Sequence, residues 1–243
     1  MNVELIAEVA SGHGGDLALA KEFIHRFADA GADWVKFQTT RVKHLRPDDP
    51  QYAWFERAEL SNDAHFELQA ECATAGVKFL TTVYHPDEVP FLASLGLEAI
   101  KIGSGEAAEI PLAQAVRAAR FPRVMVALGI TRLPTRSAFY GHGIEFFRCL
   151  TRYPCPASWA ATSYGPVSTF GDEQCGWSDH CVGLEGCYTA LVRGARIIEK
   201  HVQLDGQARP PRAYEATVQE FRELRRFADD DPTRFMGRWQ YAT

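Results

Sequence analysis

The residues most able to do chemistry lie between Cys175 and Leu204. Two short apolar runs there each end in a polar cluster, Ser178-Asp179-His180 and Glu199-Lys200-His201, with about one helix between them. Two imidazoles with carboxylates at the ends of neighbouring strands look like half of a metal site. Glu199 and His201 are two apart and share one face of a strand. Histidine–carboxylate sets suit Mn, Fe, Zn or Mg rather than a thiolate-preferring metal, and Cys181 alternates away from His180. Two lysines come next. Lys36 in WVKFQ and Lys101 in AIKIG sit inside apolar runs, where an ammonium is costly without an anionic partner. That partner is either a neighbouring carboxylate such as Glu8 or Glu106, or a substrate anion held by both lysines with the hydroxyls of Thr82, Ser104 and Ser178. A Schiff-base lysine is a further reading. Two lysines among hydroxyls favour phosphate, and KIGSGE sets backbone amides just before a helix, a natural anion site. Glu8 and Glu106 are candidates for a general base or for holding a substrate hydroxyl. His13, in a glycine-flanked loop, either lines the pocket or caps it. The other histidines (His25, His44, His65, His85 and His142) read as surface or structural residues.

The elements that must position these groups repeat one pattern: a short β-rich run, a polar cluster, then an amphipathic helical stretch. Strands are expected at Leu5–Ala10, in DWVKFQT, VKFLTTVY, EAIKIGSGE, RVMVALGI, IEFFRCLTRYP, CGWSDHC and RIIEKHVQL. Six helices are clear. The first is capped by Asp16, buries Leu17, Ala20, Phe23, Ile24 and Phe27, and stops at Gly31. The followers of strands five and six are weak and imply shortened connections, and Thr40–Leu60 reads as an excursion over the mouth of the fold. Eight alternating units fit a single-domain (β/α)8 TIM barrel over residues 1–243. An open doubly wound sheet would usually show GxGxxG after its first strand, and SGHGGD lacks that spacing. In a barrel the C-terminal strand ends form the site. They give Glu8 and His13, Lys36 and Gln38, Thr81 and Thr82, Lys101, Ser104 and Glu106, Tyr153, Ser178 and His180, Glu199 and His201. Strand five offers only Ala127, Leu128 and Gly129.

Composition excludes several classes. With 46% hydrophobic and 23% charged residues the chain can bury a large core and is not disordered. Lys plus Arg is 26 and Asp plus Glu is 31, so the net charge is 26 − 31 = −5. No basic stripe points to nucleic acid. No apolar run reaches the ~18 residues of a membrane span, and the start lacks a signal-peptide pattern. Six scattered cysteines without a CxxC pair read as reduced thiols in a cytoplasmic protein.

The stretches AEVASGHGGDLALAKEFI, GADWVKFQT, FLTTVYHPDEVPFL, IKIGSGE, CLTRYPCP, WSDHCVG and GARIIEKHVQLD together resemble the N-acetylneuraminate (sialic acid) synthase family, in the family's order over roughly residues 4 to 205. The resemblance implies a TIM barrel that condenses phosphoenolpyruvate with an amino-sugar aldehyde, giving a 2-keto acid and phosphate. It implies a divalent metal, Mn or Mg, on His180 and His201 with Glu199 in support, polarising the aldehyde. By position Lys36, Thr82, Lys101, Ser104 and Ser178 would hold phosphoenolpyruvate. Glu8, Gln38, Glu106 and Tyr153 would face the sugar or the attacking water. The family tends to dimerise, which admits a homodimer, but part of its dimer contact comes from a C-terminal domain that has no counterpart here.

The chain also departs from that pattern. Gly12 stands where the family usually has Asn before the loop histidine. Ala127-Leu128-Gly129-Ile130 replaces Ser-Thr-Gly-Met, so one phosphate-side hydroxyl is missing. Thr151 replaces the usual Asn of strand six. ARPPRAYEA, with Arg209 and Arg212, replaces a Gly-Pro-Asp stretch whose aspartate binds sugar hydroxyls. No counterpart of the family's C-terminal antifreeze-like domain precedes Thr243. These changes suggest an acceptor other than N-acetylmannosamine, smaller or anionic, with His13, Arg209 and Arg212 as candidates to meet it. Two other readings stand beside this one: a different metal-dependent barrel aldolase or lyase, and a non-catalytic ligand-binding relative.

Overall fold

A computed structural model describes residues 3–131, 134–141, 143–162, 170–172 and 174–230. Eight parallel strands close into one barrel in sequence order: β1 (Glu4–Ala10), β2 (Trp34–Thr39), β3 (Lys78–Val83), β4 (Ala99–Ile102), β5 (Arg123–Ala127), β6 (Ile144–Cys149), β7 (Gly176–Asp179) and β8 (Ile197–His201). The helices are α1 (Leu17–Ala28), α2 (Tyr52–Ala58), α3 (Asn62–Thr74), α4 (Val89–Ser94), α5 (Ile110–Ala119), α6 (Ala157–Thr162), α7 (Glu185–Val192) and α8 (Val218–Asp229). This is the expected (β/α)8 barrel. Among the described residues the connection after β5 holds only a 3-10 turn at Pro134–Arg136, and β6 is followed by the short α6, as the weak followers foretold. His142 lies outside the described residues.

Local signals explain the helices. Asp16 caps α1 by accepting from the amides of Ala18 and Leu19, and Gly31 leaves the following turn at φ 91°. Ala20, Phe23, Ile24 and Phe27 are its buried face, while Leu17 packs only at the edge. Thr217 and Glu220 form a reciprocal capping box at α8. The excursion between β2 and α3 contains one element that periodicity did not signal, α2. Its Trp54 Nε1 donates to Ser11 Oγ at 3.0 Å, laying the segment over the β1–α1 loop. Arg41, buried, clips the base of the excursion to Glu88, Asn62 and the Leu60 carbonyl.

Strand alternation splits the core in two. Outward residues such as Val35, Phe37, Val126, Trp177 and Ile198 pack beneath the helices. Inward residues Ile6, Trp34, Leu80, Ala99, Met125, Phe147, Cys175 and Ile197 form an apolar plug across the barrel. Below the plug Arg123 is held between Glu4 (2.6 Å) and Glu145 (3.0 Å). The plug leaves the inward residues one step nearer the C-terminal strand ends as the floor of a pocket. All six cysteines are buried and none forms a disulfide. No helix among the described residues is long and apolar enough to cross a membrane.

Candidate functional site

The pocket at the C-terminal strand ends has a volume of about 80 Å³ and opens to solvent. Glu8, Lys36, Gln38, Thr82, Lys101, Ser104, Tyr153, Ser178, His180, Glu199 and His201 all line it, joined by Tyr84, Gly103, Ala127 and Cys149. The alternation of each strand accounts for this. Glu8 lies two residues above Ile6 of the plug, Lys36 two above Trp34, and Lys101 two above Ala99.

Four charges form a chain across the floor. Lys36 Nζ lies 3.1 Å from Glu8 Oε2 and 3.6 Å from Glu199 Oε2, and donates to Thr82 Oγ1 at 2.9 Å. Lys101 Nζ lies 3.2 Å from Glu199 Oε2 and 3.4 Å from Ser178 Oγ, above the Phe147 ring. The carboxylate that answers Lys101 is therefore Glu199 rather than Glu106. Each of the four side chains is at most 6% exposed. Burial, with the negative charge of Glu199 adding to it, lifts the Glu8 carboxyl to about 7 although Lys36 opposes this. Burial also acts upward on Glu199, but Lys101 and Lys36 outweigh it and hold that group at about 2. Lys36 stays raised, because the two carboxylates overcome its burial, and Lys101 is lowered, chiefly by burial. Glu8 Oε2 and Glu199 Oε2 are buried without a well-directed hydrogen bond; their lysine contacts are ion pairs by distance only. Both oxygens thus keep acceptor capacity beyond their lysine ion pairs.

Beside this chain stand the imidazoles of His180 and His201, with ring centroids 5.4 Å apart. Burial lowers His180 to about 4 and His201 well below its usual value, so both are neutral at physiological pH. His180 Nδ1 lies 2.7 Å from the Leu150 carbonyl, which assigns the proton to Nδ1 and leaves the Nε2 lone pair open. Two neutral imidazoles, one oriented by a backbone carbonyl, and a buried carboxylate with a spare oxygen make a donor set that fits a borderline divalent cation. Tyr153 stacks on His180 at 3.9 Å, and Tyr214 closes on His201 at 5.2 Å.

His180, His201 and Glu199 do not bring three ligand atoms within 4.8 Å of one another; among the described residues the grouping that does is His44, His85 and Asp87, on the rim loops after β2 and β3. Its rings lie face to face at 3.6 Å and 13°, so their in-plane lone pairs run parallel rather than converging. His85 Nδ1 already accepts from the Asp87 amide, and His44 Nε2 lies 3.2 Å from Glu88 Oε1. As it stands this group is a clasp between two loops.

Several expected residues fall elsewhere. His13 does not line the pocket. It is buried with its ring edge toward Phe37, Nδ1 accepts from the Gly15 amide, and burial lowers it to about 4. It packs inside its glycine turn instead of reaching into the mouth. Thr81 points outward to Thr39 and, through it, His65; only Thr82 of that pair faces in. Glu106 sits just off the lining, its Oε2 above Gly103, where a Cβ would come within 2.4 Å; burial raises its carboxyl. Arg209 is spent on the fully buried Glu215, with Nη1 3.1 Å from Oε2. Arg212 is exposed and donates to Tyr214 Oη at 2.7 Å. Tyr84, Cys149 and Tyr214 escaped the sequence reading. Parity on β3 and β6 would have found the first two. Nothing local signals Tyr214, whose place depends on the loop folding back over β8.

Comparison with known proteins agrees with this architecture. Residues 23–230 match the model of the NeuB family. The N,N'-diacetyllegionaminic acid synthase of Legionella pneumophila is 30% identical over 234 residues, covering 84% of this chain and 65% of that protein. The N-acetylneuraminate-9-phosphate synthase of Mus musculus is 26% identical over 225 residues, covering 83% and 62%. The chain thus spans a little under two thirds of the length of these relatives. Among solved structures, an N-acetylneuraminic acid synthetase from Leptospira borgpetersenii in complex with citrate superposes with a TM-score of 0.79 at 23% identity, covering 100% of this chain and 87% of that one. A truncated 3-deoxy-D-arabino-heptulosonate 7-phosphate synthase from Thermotoga maritima reaches 0.67 at 12% identity, covering 94% and 87%. At these identities the two structures speak to the fold alone.

Proposed function

The chain belongs to the NeuB family, and from that premise we propose that it joins phosphoenolpyruvate to an aldehyde of the amino-sugar type, releasing phosphate and a 2-keto acid. The observation that carries the reading is the convergence of two buried lysines and two buried, neutral imidazoles on one pocket. The relatives' names, synthases of legionaminic acid and of N-acetylneuraminate 9-phosphate, supply the reaction class.

Lys36 and Lys101, with Thr82, Ser104 and Ser178, form the anion half. An incoming phosphate or carboxylate offers the ammonium groups a stronger partner than the imperfectly directed oxygens of Glu8 and Glu199. Glu8, near neutrality, gives up its negative charge most readily, so a bound anion and a protonated Glu8 stabilise each other. In the condensation C3 of the enol ester bonds to the aldehyde carbon. Water adds at C2, and the C–O bond to phosphate then breaks. Glu106 is the group placed to take the proton of that water, while Glu8, held by Gln38 Nε2 at 2.8 Å and protonated beside the bound anion, can donate to it; Tyr153 and Gln38 offer hydrogen bonds to the acceptor. His180, His201 and Glu199 would hold a divalent cation, Mn or Mg, which as a Lewis acid supplies polarisation of the aldehyde oxygen. The apolar floor and the Phe147 ring exclude water and strengthen every charge interaction above them.

Arg212 is the rim cation on hand for an acidic acceptor, since Arg209 is committed to Glu215. Buried thiols outside any disulfide suit a cytoplasmic enzyme. The test is phosphate release from phosphoenolpyruvate over a panel of aldehydes, with and without Mn²⁺. We expect turnover with at least one amino-sugar aldehyde. No consumption of phosphoenolpyruvate with any acceptor would overturn the proposal, and turnover with N-acetylmannosamine alone would remove the idea of a smaller or anionic acceptor.

A further inference from the structure

The strands that end in the two imidazoles carry a second set of charges on their outer face, behind the pocket. Asp179 lies between the pocket residues Ser178 and His180, and Lys200 lies between Glu199 and His201. The two are direct partners in the β7–β8 register, as are Ser178 and Glu199. Lys200 Nζ donates to Asp179 Oδ2 at 2.6 Å and to the Cys181 carbonyl at 2.6 Å. Asp179 accepts from Trp177 Nε1 at 2.8 Å and from the Cys181 amide at 3.2 Å. Both residues are 1% exposed.

We propose that Asp179 and Lys200 are positioning residues: their ion pair fixes the strand ends that aim His180 and His201, and so sets the affinity of the pocket for a divalent cation. The inference rests on the reading above that these imidazoles hold the metal.

Three observations carry it. First, the pair grips the N–H and the C=O of Cys181, the residue that follows His180, so the backbone on that side of His180 is fixed by side chains of both strands. The Cys155 amide secures the His180 carbonyl itself at 2.8 Å. Second, α7 seats directly on the carboxylate. A Cβ on Gly186 would lie 2.2 Å from Asp179 Oδ1 and 2.9 Å from Cys181 Sγ, so only a glycine lets the helix approach. Third, stability alone does not account for a buried ion pair, because well-packed apolar residues often serve as well or better. An apolar couple at 179 and 200 would fill the space but could not hold the two polar groups of Cys181. Groups that hydrogen-bond metal-binding histidines orient the rings, and losing them weakens metal binding about 10- to 100-fold; Asp179 and Lys200 act on the same rings through the strand backbone.

The experiment measures Mn²⁺ affinity of the full chain from the loss of the free-ion EPR signal, phosphoenolpyruvate affinity by calorimetry, and the melting temperature. It compares wild type, Asp179→Asn, Lys200→Met and the double variant. Each single variant should melt lower and bind Mn²⁺ about 10- to 100-fold more weakly, with phosphoenolpyruvate affinity nearly unchanged. The double variant, having no unpaired buried charge, should regain melting temperature but not Mn²⁺ affinity. Gly186→Ala, which keeps both charges and displaces the carboxylate, serves if a single variant does not fold, and it too should lose Mn²⁺ affinity. Variants that bind Mn²⁺ like wild type, or a double variant that recovers stability and Mn²⁺ affinity together, would overturn the positioning role. Wild-type protein that takes up no Mn²⁺ would overturn the metal reading itself, and this proposal with it.

Discussion

The barrel wall of β7 and β8 and the wall of β5 and β6 are built from opposite materials. The first turns Ser178, His180, Glu199 and His201 inward and buries the ion pair of Asp179 and Lys200 on its outer face. The second turns Met125, Ala127, Phe147 and Cys149 inward, with Val124, Val126, Leu128 and Phe146 behind them and one buried charge, Arg148, on its outer face bonded to Gln174. The polar wall, with Lys36 of β2 and Lys101 of β4 ion-paired to its Glu199, gathers the charged groups of the pocket. The apolar wall places the Phe147 ring 4.9 Å from Lys101 Nζ and shields the pocket from water, so each charge on the opposite wall acts in a lower dielectric. The difference teaches that a wall without functional groups still contributes, by fixing the medium in which the others act.

The comparison breaks most readily at Lys101. Lys101→Met removes a buried charge and leaves Glu199 with Lys36 as its remaining ammonium. Truncating one member of a buried charge pair costs about 2–5 kcal/mol, which corresponds to roughly 30- to 3,000-fold weaker phosphoenolpyruvate binding by calorimetry. Met125→Leu, in the plug beneath the apolar wall, conserves volume and should cost under about 1.5 kcal/mol of stability while leaving that binding intact. Comparable losses from the two changes would end the distinction between the walls. The next effect in size belongs to the imidazoles. His201→Ala should remove Mn²⁺ uptake by at least about tenfold, with phosphoenolpyruvate binding retained, because the lysines and hydroxyls lie apart from it. Loss of both ligands together would mean that the anion and metal halves are one unit.

The polar wall was also the more legible. Glu8, Lys36, Gln38, Thr82, Lys101, Ser178, His180, Glu199 and His201 could be placed in one pocket from strand alternation alone, since a closed parallel barrel sends every second residue inward near one end. What stayed hidden depends on contacts distant in sequence. His13 looked available until its turn packed it against Phe37. Arg209 looked free until the chain folded Glu215 beneath it. Thr81 and Thr82 could not be separated until the register of β3 was known. The helix α2 breaks the simple βα pattern in a stretch of prolines and aromatics, and it is held by one bond to Ser11 rather than by an obvious periodic face.

Glu8 sharpens the comparison through pH. Its carboxyl is raised to about 7, so it is largely neutral below that pH and anionic above it. Phosphoenolpyruvate binding should therefore weaken as pH rises through 7, when Glu8 competes for Lys36, by up to about tenfold per unit of coupled shift. Stability follows the same sign. A raised carboxyl contributes stability that is full below about pH 4.5 and is lost as pH rises through 7. Glu8→Gln should flatten the ligand profile as pH rises through 7, read by calorimetry, and the stability profile between about pH 4.5 and pH 7, read by thermal melts. An unchanged slope would place the titrating group elsewhere in the pocket.

The smallest expected effect asks whether the apolar wall can be recruited. Ala127 is 3% exposed, lines the pocket and pairs with Phe147 in the β5–β6 register. Ala127→Ser would add one hydroxyl on the side where the family resemblance expects one. Without ligand that hydroxyl lacks a dedicated partner, so the melting temperature should fall, consistent with a cost of about 1–3 kcal/mol for a buried unsatisfied group. With phosphoenolpyruvate bound it can donate to the anion, adding about 0.5–1.5 kcal/mol, or roughly two- to tenfold in affinity. The two changes have opposite signs and are read in one experiment: a lower melt without ligand and a larger ligand-induced rise. A lower melt with no larger rise would mean that the anion stays on the Lys36–Lys101 side, and that the β5–β6 wall acts on it only by excluding water.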